Sequence, residues 1–125
     1  MGTHRDRIVL LVDDDDGVMS VLSHAMAHIG WRVLAADNAE AALAAWRAED
    51  QGIDLLITDV HMPETHGCEL AQRIRERQPA VPIVFISGDP ESELSAAAQK
   101  FSNHRYLKKP FRTSELVALV SSFEG

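Results

Sequence analysis

Apolar residues recur along the chain in two alternating rhythms. Ile8 to Val12 is an unbroken apolar run that halts at acids, short enough for a strand and without the alternation of a half-exposed one, which predicts a buried parallel strand. Val18, Val21, Leu22, Ala25, Met26 and Ile29 then follow a three-and-four spacing that marks one face of a helix, and Gly30 stops it. The pattern repeats with a strand at Trp31 to Ala35 and a helix from about Asn38, capped by Asp37 or Asn38, whose Ala39, Ala42, Leu43 and Trp46 share a face. Asp54 to Thr58 predicts a third strand closed by Asp59. A helix over roughly Cys68 to Arg77 carries Leu70 and Ile74 and ends before Pro79 and Pro82.

Ile83 to Ile86 reads as a fourth strand. Leu94, Ala97, Ala98 and Phe101 repeat the helical spacing, a short strand follows near Arg105 to Leu107, and Leu116, Leu119, Val120 and Phe123 mark a last helix capped near Thr113. Five strands alternating with five helices call for an α/β doubly wound parallel sheet, covered on both faces and joined by right-handed crossovers. The polar stretch 1–7 reads as an extension and 8–125 as one domain, with no linker, repeat or low-complexity tract.

Composition narrows the function. At 125 residues, 46% hydrophobic and 25% charged, the chain has the makings of one globular domain with a real core. Twelve basic residues against nineteen acidic ones leave a net charge of −7, which argues against a nucleic-acid backbone as direct partner. The consecutive acids Asp13, Asp14, Asp15 and Asp16 account for more than half of that excess. A single cysteine, Cys68, excludes an internal disulfide and reads as a packing residue. No apolar run has the roughly 20 residues that span a bilayer, and the amino terminus is too polar for a signal peptide, so a cytoplasmic location without membrane attachment is expected.

In open parallel sheets the functional site lies beyond the carboxyl ends of the strands. Strand one ends in Asp13 and Asp14, strand three in Asp59 and strand four in Ser87, while Lys108, Lys109 and Pro110 follow strand five. Crowded carboxylates repel one another unless a cation compensates, and an all-oxygen cluster suits a small hard dication, Mg2+ first and Mn2+ second. A carboxylate also attacks phosphorus to give an acyl phosphate, with metal and ammonium neutralising charge on the phosphoryl oxygens. Asp15 and Asp16 read instead as a solvated loop or a helix amino terminus, and His24 and His28, four apart but away from the apolar face, as a solvated pair.

The segments IVLLVDDDDGV, DLLITDVHMPETHG, PIVFISG and YLKKPF, in this order and spacing, resemble the receiver domains of two-component response regulators, over about Ile8 to Phe123. The resemblance implies a flavodoxin-like three-layer fold with strand order 2-1-3-4-5. It also implies that Asp59 accepts a phosphoryl group from a phosphohistidine of a sensor kinase or phosphotransfer protein. Asp13, Asp14, Asp59 and the main-chain carbonyl of His61 would hold the metal, and Ser87 and Lys109 would contact the phosphoryl oxygens. Tyr106 matches an aromatic switch position, and the output surface would comprise the fourth helix, fifth strand and last helix, contacting a downstream protein, a fused output domain or a second copy. A cis peptide is implied between Lys109 and Pro110. His61 and Asp89, each two residues past a site residue, are placed to tune the lifetime of the acyl phosphate. Ser102-Asn103 stands where the family commonly has Gly-Ala, so the loop before strand five is expected to differ in shape.

Two rival functions share these residues. Asp14-Asp15-Asp16-Gly17-Val18 matches the first motif of haloacid dehalogenase phosphatases and Gly88-Asp89 with Glu93 echoes their late acidic motif, but Lys100, Lys108 and Lys109 all follow those acids, the reverse of that family's order, and Asp59 would have no role. A receiver that serves only as an interaction scaffold is disfavoured by the complete set Asp13, Asp14, Asp59, Ser87 and Lys109.

Overall fold

The computed structural model describes residues 6–61, 67–88 and 100–123. Five strands, β1 (Ile8–Val12), β2 (Arg32–Ala36), β3 (Leu55–Asp59), β4 (Ile83–Ser87) and β5 (His104–Lys108), form one parallel sheet in the order β2-β1-β3-β4-β5. Helices α1 (Asp16–His28), α2 (Ala39–Arg47) and α3 (Gly67–Arg77) and a C-terminal helix (Thr113–Ser121) cover it. The helix expected at Leu94 to Phe101 lies almost wholly outside the described residues.

Successive side chains of a strand point to opposite faces, and here each face meets its own helices. Ile8, Leu10 and Val12 of β1 join Leu56, Ile83 and Phe85 in a core closed by Leu43 and Trp46 of α2 and by Leu70 and Ile74 of α3. Val9 and Leu11 join Ile57, Val84 and Ile86 in a second core closed by Leu22 and Met26 of α1 and by Leu116 and Val120 of the C-terminal helix. All five residues are buried in each of β1, β3 and β4, which is why their sequences run apolar without alternation until the buried polar residues Thr58 and Asp59 end β3 and Ser87 ends β4.

Local chemistry sets the helix ends. The Asp15 carboxylate accepts hydrogen bonds from the amides of Gly17 and Val18, so it caps α1 and Asp16 opens the first turn; such a cap contributes about 1 kcal/mol. Asn38, rather than Asp37, caps α2 through the Ala41 amide. The last helix is capped by Arg112, not Thr113, because the Glu115 carboxylate reaches back to the Arg112 amide. The spacing overstates the buried face of α1: Leu22, Ala25 and Met26 are buried, Val18 is partly covered, and Val21 and Ile29 are 41% and 39% exposed. The strands β2 to β5 are shifted or extended by about one residue from the apolar runs that predict them.

Candidate functional site

The carboxyl ends of β1, β3, β4 and β5 bring the expected residues to one edge. Val12 of β1 pairs with Thr58 of β3, so Asp13 emerges beside Asp59. Ser87 of β4 pairs with Lys108 of β5, which sets Lys109 one residue beyond the sheet. Asp13 and Asp59 are buried at 1% and 6% exposure, whereas Asp14 is exposed. One carboxylate oxygen from each of the three can be chosen so that all lie within 4.8 Å of one another.

Lys109 binds this cluster together. Its Nζ lies 2.9 Å from Asp59 Oδ2 and 3.0 Å from Asp13 Oδ2. The contact to Asp59 is a hydrogen bond; that to Asp13 is close enough for an ion pair but leaves the buried Asp13 Oδ2 without a well-formed hydrogen bond. The other oxygens are held by main chain: Asp13 Oδ1 accepts from the Asp15 amide at 2.8 Å and Asp59 Oδ1 from the His61 amide at 3.0 Å. Burial pushes the Asp13 carboxyl above its ordinary pKa and the charge of Asp59 adds to this, while the Asp15 amide and Lys109 only partly offset them. Burial alone would lower the pKa of Lys109, but its bonds to Asp59 and Asp13 win and raise it. A buried carboxylate oxygen lacking a hydrogen bond, beside two further carboxylates, is a donor set that fits a hard dication.

Ser87 is buried, and its carbonyl accepts the Lys109 amide at 2.9 Å and the Tyr106 hydroxyl at 3.5 Å. The ring of Tyr106 is partly buried and packs against the core shared with α2 and α3. Lys108 is exposed, as are His24 and His28. Asp89 lies outside the described residues. The peptide between Lys109 and Pro110 is cis. An apolar recess lined by Val18, Val21, Pro110 and Phe111 opens beside Asp15 and Lys109.

One contributor has no signal in the hydrophobic spacing. Gly67 begins α3, its amide donates to the Val60 carbonyl at 2.8 Å, and a Cβ added to it would overlap the carbonyl of Asp59. The start of α3 therefore meets the end of β3 backbone against backbone at Asp59 and Val60. Only the absence of a side chain allows that approach.

A family model for the response regulator receiver domain matches residues 9–121. The chain belongs to this family. It is the receiver domain of a two-component response regulator, a signalling module. The chain is 38% identical over 112 residues to the DNA-binding transcriptional regulator NtrC of Azospirillum brasilense, covering 90% of this chain and 23% of that protein. It is 32% identical to the response regulator protein TmoT of Ectopseudomonas mendocina, covering 93% of this chain and 52% of that one. It thus spans about a quarter to a half of the length of these relatives. Among solved structures, the Vibrio cholerae chemotaxis protein CheY4 superposes with a TM-score of 0.87 at 25% identity, covering 95% of this receiver domain and 99% of that chain. Among the described residues no helix is long and apolar enough to cross a membrane.

Proposed function

We propose that this receiver domain is a phosphoacceptor switch in which Asp59 takes a phosphoryl group from a phosphohistidine on a sensor kinase or phosphotransfer protein. The observation that carries the proposal is Lys109 Nζ within 3.0 Å of both Asp59 and Asp13, inside a cluster of three carboxylates. An Asp59 carboxylate oxygen attacks phosphorus, the N–P bond of the donor breaks, and the electron pair returns to the imidazole, leaving an acyl phosphate on Asp59. Asp13, Asp14, Asp59 and the His61 carbonyl are the groups that would hold Mg2+ or Mn2+. Such a dication, when bound, neutralises charge on the phosphoryl oxygens. Lys109 supplies the second positive charge, partly desolvated and held in place by the two carboxylates it bridges.

Ser87, at the end of the strand between Asp59 and Lys109, is the hydroxyl for a phosphoryl oxygen. Tyr106, bonded to the Ser87 carbonyl, is the side chain through which a shift of Ser87 reaches β5 and the surface presented to a partner. The apolar recess beside Lys109 offers a donor protein a foothold next to the acceptor. The domain catalyses its own phosphorylation and slow dephosphorylation only, in a cytoplasmic setting.

Incubation with acetyl phosphate and Mg2+ should add one phosphoryl group by intact mass, and Asp59→Asn should abolish the gain; a gain that survives Asp59→Asn, or none in the wild type, refutes the proposal. His61 is exposed beside the acceptor, with its amide on Asp59 Oδ1, and we assign it, together with Asp89 two positions after Ser87 in the sequence, the role of orienting or excluding an attacking water. Replacing both by Ala should change the rate at which the acyl phosphate is lost; an unchanged rate rules them out as tuning residues.

A further inference from the structure

Among the described residues the buried polar side chains are Asp13, Asp59, Ser87 and Thr58. The first three belong to the cluster at the strand ends. Thr58, fully shielded from solvent, does not. It lies in register with Val12 of β1 and Phe85 of β4, and both of these belong to the core under α2 and α3, so the Thr58 side chain is set on the same apolar face of the sheet. A hydroxyl on such a face costs free energy that a valine of similar shape would not, unless it is hydrogen-bonded. Its proton goes to the acceptor residue: Thr58 Oγ1 donates to the main-chain carbonyl of Asp59 at 3.0 Å. That carbonyl oxygen is also the atom that a Cβ on Gly67 would overlap. The Asp59 carbonyl is thus bounded by a donor from its own strand and by the backbone of α3. Its peptide leads to Val60, whose amide is held by the Ile86 carbonyl at 2.9 Å, and on to His61, whose amide holds Asp59 Oδ1.

We propose that Thr58 is a positioning residue: its buried hydroxyl fixes the orientation of the Asp59 carbonyl, and thereby the angle at which the Asp59 carboxylate is presented beside Lys109 and Asp13. The inference rests on the reading of Asp59 as the phosphoacceptor. Thr58 touches neither the phosphoryl donor nor the attacking oxygen. It acts through the main chain of the residue that does, and attack on phosphorus is sensitive to small errors in the placement of the attacking atom. Loss of the hydroxyl therefore acts on the rate of the transfer step more than on capture of the donor.

Thr58→Val removes the hydroxyl and keeps the shape of the side chain, whereas Thr58→Ser keeps the hydroxyl and removes a methyl group. Labelling by acetyl phosphate and Mg2+, followed by intact mass over a range of donor concentrations, should slow by roughly fivefold to tenfold in its maximal rate in Thr58→Val, with the half-saturating concentration unchanged. Thr58→Ser should unfold at lower urea than the wild type, because it loses a buried methyl, and yet label at close to the wild-type rate. The Asp59 carbonyl carbon resonance should move upfield in Thr58→Val and keep its place in Thr58→Ser. An undiminished maximal rate in Thr58→Val, or equal slowing in both variants, overturns the positioning role while an Asp59-dependent label on the wild type leaves the phosphoacceptor reading standing. No label on the wild type, or one that survives Asp59→Asn, overturns both.

Discussion

Asp13 and Lys109 are held in opposition, and the balance has a sign. Because the folded state raises the Asp13 pKa, it binds that proton more tightly than the unfolded chain does; ionised Asp13 therefore subtracts stability above the ordinary carboxylate range. That loss is recovered as pH falls through the raised value. In metal-free buffer at neutral pH, Asp13→Asn should raise the melting temperature by a few degrees, since about 1 kcal/mol corresponds to about 4 °C for a domain of this size. Adding Mg2+ should stabilise the wild type and do much less for the variant, because binding to the native state alone adds stability by mass action. Scanning calorimetry with and without the ion checks both; an Asn variant that melts lower in the absence of metal contradicts the assigned sign. These residues were legible as a set because each follows the end of an expected strand. The bridging of two carboxylates by one ammonium was not, since chain distances of 50 and more residues separate Lys109 from its partners.

At the level of elements, α3 is fixed at both ends by contacts that hydrophobic periodicity does not encode. At its start, Gly67 lies against the Asp59 carbonyl. Gly67→Ala forces a Cβ onto main chain that cannot rotate away, and overpacking of this kind costs about 1–3 kcal/mol. Urea unfolding should show that loss, and the rate of labelling by acetyl phosphate should fall as well, because the displaced atom belongs to the acceptor residue. Loss of stability with an unchanged rate would mean that the strain relaxes into α3 instead. Beyond its last turn, the Gln78 amide oxygen accepts from both Trp46 Nε1 and the Ile53 amide, and its Nε2 donates to the Ile53 carbonyl, which ties α3 to α2 and to the approach to β3. Arg75 reaches forward from α3 to the carbonyls of Val81 and Ser102, and Asn103 adopts φ 51°. The Ser102-Asn103 pair thus sits in a loop closed by an arginine and by a residue tolerant of the left-handed region. The Ser102-Asn103 pair was visible in the sequence; the arginine that bonds to its main chain was not, because long-range bonds leave no periodic trace.

For the molecule as a whole, the class of fold and the strand-end chemistry could be read from the chain, while the division of the interior could not. An apolar run buried on both sides has no alternation to reveal which residue faces which layer, so Ile8 to Val12 reads as uniform although its side chains serve two separate cores. Helix α1 shows the opposite error: Val21 and Ile29 fit the apolar face by spacing, yet lie at its open margins. Two cores separated by a sheet should respond independently to small lesions. Ile57→Val in one and Ile74→Val in the other should each cost about 0.5–1.5 kcal/mol and add in the double variant to within about 0.5 kcal/mol. A larger coupling in chemical denaturation would mean that the sheet transmits packing strain between its faces. If the costs do add, the sheet behaves as a bulkhead. Recombination among relatives could then replace the α2–α3 compartment as a unit while the opposite face preserves its own packing.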